Sequence, residues 1–464
     1  MAQTRQKDVS APSPQPYEGL PSPRRFWAAA TLMTGLTLAV LDATIAHVAL
    51  PTIARDLNTS PATAIWIANA YNLAVVTLLL PLSAIAERIG FRRMFTFGLG
   101  LFTVASLLCA LADTLTQLTM ARVLQGIGAA AITSLIGGFI RNIYPLDKLG
   151  MGMSINATTV AISSVLGPTI GSAILSVSSW PWIFAVNVPI GIVALFGVRH
   201  LPDVPRNDVR FDALSAVLCM IALGSFITAV DFMGQNLPRS MALFVLFGLS
   251  TIWLIRRARH QPAPLVPVDL LRIRTIAFAA VASWCTFAAQ MAAYVSLPFY
   301  FQTVMGRPYL QIGLLMAAWP LGTAMVATYA GRVSDRYSAA VLSGLGAATM
   351  VCGLLSLILL PHDVSNIWIM VGMFFSGVGF GFFQTPNNRA MLSSAPRARS
   401  GAAGGMQATI RVFGQSFGTA LVAVAFSVPV ASGPTLALIF SACCATLAVV
   451  VNCVRFESVR VPGS

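Results

Sequence analysis

The sequence predicts an all-α integral membrane protein with fourteen transmembrane helices in a 6+2+6 arrangement. Of its 464 residues, 56% are hydrophobic and only 9% are charged, whereas a soluble domain carries about 25% charged residues. Fourteen apolar stretches reach the roughly 20 residues that a helix needs to cross about 30 Å of hydrocarbon. The basic residues fall into alternate loops. This composition excludes a disordered chain, a collagen-like fibre and a disulfide-stapled secreted module.

Residues 1–25 are polar and rich in Pro and Ser, which predicts a disordered cytoplasmic tail. The first six spans follow it, at about 26–51, 62–84, 94–112, 116–140, 150–177 and 180–198. Spans 7 and 8 are expected at 213–233 and 240–255. The last six are expected at 275–302, 309–331, 339–360, 365–386, 400–425 and 432–454. No connection between spans is long enough for a soluble domain.

The net charge of +14 has its origin in loops on one side of the membrane. With the N-terminus in the cytoplasm, 24 of the 29 basic residues lie in inner loops or the termini, three lie in outer loops and two lie within spans. Basic residues favour cytoplasmic loops and anionic headgroups. We therefore expect both termini in the cytoplasm and a lipid bilayer, not nucleic acid, as the partner of these charges.

Four short patterns recur in the same order at an offset near 248 residues. They pair 48–51 with 295–298, 87–88 with 335–336, 126–128 with 377–379, and 167–171 with 414–418. Parallel repeats of this kind build transporters whose halves rock about a central cavity. The predicted units are an N-terminal six-helix bundle at 26–200, an inserted pair at 213–256 and a C-terminal six-helix bundle at 275–455.

Several motifs carry a resemblance to a known family. Residues 41–51, LDATIAHVALP, are close to the pattern LDxTIVNVALP, with His47 in place of Asn. Residues 83–93 resemble motif A (GxLaDrxGrk), 122–128 motif B and 167–172 the antiporter motif C. The chain thus resembles the major facilitator superfamily, specifically its fourteen-spanner drug:proton antiporters of the QacA/EmrB/SmvA-like kind. The likeness covers nearly the whole chain after the tail.

The resemblance implies the major facilitator fold and proton-coupled export of small amphipathic, often cationic compounds across a bacterial inner (plasma) membrane. It implies no enzymatic activity and no cofactor, since the proton-motive force supplies the energy. EmrB-like relatives work with a periplasmic adaptor, for which no outer loop of this sequence predicts a docking surface. Two alternatives stay open: a permease for an endogenous metabolite, and a non-transporting membrane scaffold or sensor.

Two charges inside the predicted spans are candidates for proton coupling. Asp42 lies about 14 Å below the outer end of span 1, and Arg122 about 9 Å below that of span 4. They could therefore face each other, with Asp42 exchanging a proton for a cation and Arg122 biasing its protonation. The alternative is a static buried ion pair. His47, one and a half turns further out, either relays protons or makes a helix contact.

The resemblance gives the inner-loop and hinge motifs their roles. A gate that latches the outward-facing state is expected from Glu87, Arg88, Arg92 and Arg93, with Asp335 and Arg336 in the second half; the alternative is that they are membrane anchors. Gly167, Pro168 and Gly171 are expected to act as a hinge against the other half, or to allow close helix packing.

A substrate cavity is expected where polar and aromatic side chains lie inside spans. The candidates are Asp42, Trp66, Asn69, Tyr71, Asn72, Gln125, Gln290 and Arg411. Aromatic faces and amides suit a planar cation, although each of these residues could instead serve helix packing. Arg411 either contacts carbonyls between helices or sets the charge selectivity. Asp231, at the outer mouth of span 7, is expected to be solvated. No residues show metal-ligand spacing.

Overall fold

A computed structural model describes residues 19–145, 148–204, 212–233, 236–258, 270–334, 337–361, 364–395, 400–428 and 432–460. Most of the predicted tail therefore lies outside the described residues. Within them the elements are helical, and fourteen helices are long and apolar enough to cross a membrane. The predicted all-α fold with fourteen spans is confirmed.

The fourteen helices α1–α14 follow the predicted spans to within a few residues at most ends. In the first half they are α1 Arg24–Asp56, α2 Pro61–Ile89, α3 Phe91–Ala110, α4 Leu115–Ile143, α5 Leu149–Val177 and α6 Pro181–His200. The inserted pair is α7 Ala213–Phe232 and α8 Leu237–Ala258. The second half contains α9 Arg274–Val304, α10 Tyr309–Val333, α11 Ala339–Leu359, α12 Asn366–Ser393, α13 Ser400–Ser427 and α14 Gly433–Arg460.

Local sequence explains where helices begin and bend. The Ser60 hydroxyl accepts a hydrogen bond from the Thr63 amide and Pro61 occupies the first turn, a combination that starts α2. Pro51, Pro168 and Pro386 lie inside helices. Such prolines are tolerated in membrane helices because neighbouring helices satisfy the freed carbonyl groups.

The two halves meet at their outer ends, defined as the ends that the charge pattern predicts to face the periplasm. One buried apolar cluster there joins Ile45 and Leu50 of α1 to Phe299 of α9 and Trp319 of α10. The Thr52 hydroxyl also donates a hydrogen bond to the Tyr309 hydroxyl at 2.9 Å. The halves are therefore in contact on this side.

At the inner ends the buried clusters belong mainly to one half each. One cluster holds Leu32, Phe95 and Phe139 of the first half, to which the second half contributes Val412 of α13. Another holds Ile276 and Met391 of the second half. The halves therefore share a large apolar cluster at their outer ends, whereas at the inner ends α13 is the element of the second half that enters a cluster of the first.

Candidate functional site

Asp42 and Arg122 form an ion pair inside the first half. An Arg122 terminal nitrogen lies 2.5 Å from Asp42 Oδ2, and both side chains are fully buried, at 0% and 1% exposure. The two charges, whose estimated depths allowed them to face each other, are thus in direct contact. The partners are 80 residues apart in the chain, so the contact fixes α4 against α1.

Two amides complete the surroundings of the Asp42 carboxylate. Gln125 Nε2 and Asn187 Nδ2 each donate a hydrogen bond to Oδ1, both at 2.8 Å. Together with Arg122, three donors from α4 and α6 meet one carboxylate on α1. Both carboxylate oxygens act only as acceptors here. These bonds occupy three of the roughly four lone-pair sites of the carboxylate, so a cation that approaches Asp42 would compete with donors from α4 and α6.

Arg122 is also held by contacts other than Asp42. Its Nε donates a hydrogen bond to the Ile67 carbonyl of α2 at 3.3 Å, and its guanidinium lies 4.2 Å from the centre of the Tyr71 ring. The Phe184 ring is 5.6 Å away. A desolvated guanidinium over an aromatic face is stabilised by about 2 kcal/mol. Arg122 thus connects α1, α2 and α4 through one side chain.

The structure adds residues that the sequence analysis gave no role. Gln125 Nε2 also donates a hydrogen bond to the Ser106 hydroxyl of α3 at 2.9 Å, and Cys109 lies one turn further along α3, with its sulfur 3.6 Å from Gln125 Oε1. Asn187 lies in predicted span 6, but nothing in its spacing indicated Asp42 as its partner. The available signal was the presence of polar side chains in otherwise apolar helices.

His47 is buried, with 3% exposure, and no hydrogen bond joins it to Asp42. Its Nδ1 has no hydrogen-bond partner among the described residues. The relay role therefore stays a prediction, and an outward proton path through His47 would need a water molecule or a rotamer change to reach Asp42.

The motif C glycines lie against α1 of their own half. A methyl group added at Gly167 would collide with the Thr44 side chain, and one added at Gly171 would come within 2.7 Å of Ile45. These contacts place α5 against the turn of α1 that follows Asp42. The neighbouring Pro168 carbonyl and the Ser172 side chain contact the other half instead, because both lie against Gly313 of α10.

Most charged side chains of the motif A loop, at the inner end of α2, are exposed. Glu87, Arg88 and Arg93 are exposed and Arg92 is half-buried. Glu87 takes part in neither of the two ion pairs found within the described ranges. Asp335 and Arg336, the expected counterparts, lie outside the described residues.

The predicted cavity residues divide into two groups. Five are buried and hydrogen-bonded internally: Asn69 to Asp231, Tyr71 to the Ala39 carbonyl, Asn72 to Thr419 of the other half, and Gln125 and Asp42 to each other. Trp66, Gln290 and Arg411 keep partial exposure. Arg411 takes part in neither of the two ion pairs found among the residues that the structure describes.

The expectation that Asp231 is solvated is wrong. Its side chain has 0% exposure, because the end of α7 packs against α2, and Asn69 Nδ2 donates a hydrogen bond to Asp231 Oδ1 at 3.2 Å. A position next to a helix end indicates exposure only where no other helix covers that end.

Comparisons with known proteins agree with this architecture. The sequence model of the Major Facilitator Superfamily matches residues 32–419. The chain is 46% identical to the uncharacterized transporter YebQ of Escherichia coli (strain K12), over 96% of this chain and 98% of that protein. It is 28% identical to the riboflavin transporter RibZ of Clostridioides difficile (strain 630), over 85% and 86% of the two chains. It is 26% identical to multidrug resistance protein 3 of Bacillus subtilis (strain 168), over 84% and 77%.

Solved structures share the fold at low sequence identity. A peptide-bound transporter of the POT family superposes with a TM-score of 0.72 at 15% identity, covering 94% of this chain and 96% of that one. At that identity the likeness concerns the fold alone.

Proposed function

The chain belongs to the major facilitator superfamily, and we propose that this transporter is a proton-coupled exporter of amphipathic, often cationic compounds in a bacterial inner membrane. The observation that carries the proposal is the buried Asp42 carboxylate with its donors from two other helices. A charge inside a membrane protein is costly and usually functional. The similarity to multidrug resistance protein 3 supports export as the direction of transport.

Alternating protonation of Asp42 would drive the cycle. The ionised carboxylate holds Arg122, Gln125 and Asn187 and thereby fixes α1 against α4 and α6. A proton on either oxygen removes the negative charge that Arg122 faces and adds an O–H donor next to the three existing donors, which weakens these contacts. Because α1 also carries Thr52, which bonds to Tyr309 of the other half, a shift of α1 reaches the contact that closes the outer end.

A metabolite permease is the second candidate, and Arg411 favours it. A guanidinium without a partner inside a transporter attracts an anionic or carbonyl-bearing substrate and repels a cation. RibZ, named as a riboflavin transporter, is among the relatives. The two candidates differ in the charge of the cargo, and both can use the Asp42 carboxylate for proton coupling. A scaffold or sensor would transport neither class.

Proton release from inverted membrane vesicles on addition of ethidium or methyl viologen tests the proposal. We expect release with the natural chain and none with Asp42→Asn, because Asn carries no titratable proton. The matched control is Asp56→Asn, which changes an exposed carboxylate at the end of the same helix and should leave release unchanged. Full coupling in Asp42→Asn would leave the ion pair with a structural role only.

Accumulation in cells separates the candidates. Expression of the protein should lower the accumulation of ethidium and methyl viologen, and an uncoupler should restore their accumulation. If neither cation responds while riboflavin, which is neutral and rich in carbonyl and hydroxyl groups, or an anionic metabolite does, the permease is correct. No response from either cation or from any metabolite tested would leave the scaffold or sensor, or a permease for another metabolite.

A further inference from the structure

A second buried carboxylate lies where the inserted pair meets the first half. Asp231 is the penultimate residue of α7, and among the described residues the only hydrogen bond to its side chain comes from Asn69 of α2, to Oδ1. Asp231 Oδ2 and Asn69 Oδ1 are both buried, and neither has a hydrogen-bond partner among those residues. The Asp231 carboxyl and the Asn69 amide thus share one hydrogen bond, and each keeps one oxygen that accepts none from the described residues.

Within the described ranges no cation pairs with this carboxylate. Arg239 of α8 is the nearest charge along the inserted pair, but its guanidinium lies over the Phe232 ring, 4.3 Å from its centre. Asp231 takes part in no ion pair among the described residues. The helices packed on α7 carry other charged residues, but each lies about 13 Å or more along its helix from the level of Asp231. They are Arg411 on α13, Glu87 and Arg88 on α2, and Arg256 and Arg257 on α8.

The surroundings also keep water from the carboxylate. Val230, the preceding residue, packs with Ile227 and with Ala420 of α13. On the outer side Phe232 is covered by Trp66, whose ring centre is 6.2 Å away. An ionised carboxylate held by one neutral amide in such a place is strongly disfavoured, whereas a neutral carboxylic acid is readily accommodated.

One proton would satisfy both unpartnered oxygens. A carboxylic acid offers one O–H donor and one carbonyl acceptor, and a primary amide offers an N–H donor and a carbonyl acceptor. The existing N–H···O bond supplies half of the pairing between such groups. A proton on Asp231 Oδ2 would complete it, with the new O–H donating to Asn69 Oδ1.

We propose that Asp231 and Asn69 form a second proton-binding site, at which one bound proton holds the inserted pair against α2. Binding takes a proton from water and forms one O–H bond; release returns that proton to water and leaves two facing acceptor oxygens that push α7 from α2. The site is separate from Asp42, and the proposal holds whether or not the chain exports drugs.

The two carboxylates are joined through α2. The Ile67 carbonyl accepts the hydrogen bond from Arg122, and Asn69 is two residues further along the same helix. One turn on, Asn72 donates a hydrogen bond to Thr419 of α13 at 3.3 Å. Movement of α2 on loss of the Asp231 proton would therefore reach Arg122 and the second half together.

Infrared difference spectroscopy of the full chain in lipid nanodiscs tests the site without any substrate. A protonated carboxyl has a carbonyl band that is distinct from that of an ionised carboxylate. We expect this band at neutral pH, its loss at strongly alkaline pH, and its complete absence in Asp231→Asn. It should persist in Asp42→Asn. The matched control is Asp212→Asn, at the other end of α7, where the carboxylate is paired with Arg257; it should leave the band unchanged.

A second variant separates proton binding from simple packing. Asn69→Leu keeps the Asp231 proton but removes the acceptor of its O–H, so the band should remain and move in frequency. If Asp231→Asn does not fold, the shift of the band in Asn69→Leu still tests whether Asp231 binds a proton. A spectrum of Asp231→Asn equal to that of the natural chain, or an unmoved band in Asn69→Leu, would overturn the proposal.

Discussion

The two six-helix halves bring their helices together at matched glycines, yet they bury different chemistry. A methyl group added at Gly126 would lie 2.6 Å from the Tyr71 carbonyl of α2, and one added at Gly377 would collide with the Trp319 carbonyl of α10. Gly128 and Gly379 likewise face the backbones of α3 and α11. The recurring Gly pairs of the sequence thus correspond to equivalent helix contacts.

The charges have no such correspondence. At the offsets of the repeat, Asp42 is matched by Ala289 and Arg122 by Met373, both fully buried. Around Ala289 the polar contact is a hydrogen bond of 2.6 Å from the Ser441 hydroxyl to its carbonyl. One packing scheme therefore serves both halves, whereas the ion pair belongs to the first alone. The groups proposed for proton coupling therefore lie in the first half, and the matched positions of the second half, Ala289 and Met373, are occupied by buried apolar side chains.

The largest expected effect comes from breaking the ion pair on one side only. Arg122→Met, which copies the residue at the matched position, leaves Asp42 buried without its cation. Removing one partner of a buried pair costs about 3–5 kcal/mol, so the variant should lose thermal stability in detergent, measured by size-exclusion chromatography after heating. The double variant Asp42→Asn with Arg122→Met should recover much of the loss. Equal stability of the single and double variants would contradict the conclusion that Asp42 and Arg122 compensate each other's charge in the first half.

An intermediate effect is expected at the matched glycines, and it should be similar in both halves. Gly126→Ala and Gly377→Ala each force a methyl group against a carbonyl oxygen, and overpacking of this kind costs about 1–3 kcal/mol. The controls are Gly100→Ala in the first half and Gly404→Ala in the second, because an added methyl meets nothing within 4 Å at either glycine. A loss of stability in one half only, by the same heating assay, would show that the helix contacts are not equivalent.

Hydropathy and charge made the span count and the approximate helix ends predictable, because length and apolar composition alone decide whether a helix can cross a membrane. The possibility that Asp42 pairs with Arg122 followed from the rise per residue, since antiparallel helices with known ends fix the depth of each side chain. Depth does not fix which way a side chain faces. Asn187 and Ser106 were therefore missed as members of the network.

The error at Asp231 has the same origin. From the sequence, a carboxylate one residue from a helix end is expected to be solvated. Asp231 is buried because α7 packs on α2. Gly167 and Gly171 were expected to face the other half or to pack closely; the structure places both against α1. Small residues identify a helix face that can approach another backbone, but the partner is chosen by the tertiary arrangement.

The smallest expected effect is at Ser441, and it tests whether the second half takes part in coupling. Ser441→Ala removes one interhelical hydrogen bond to the Ala289 carbonyl, and such bonds contribute about 0.6 kcal/mol in membrane proteins. Thermal stability should fall only slightly, and substrate-induced proton release from vesicles should stay at the natural level. If this substitution abolished proton release as Asp42→Asn is expected to do, coupling would depend on both halves, because no titratable group is lost at Ser441.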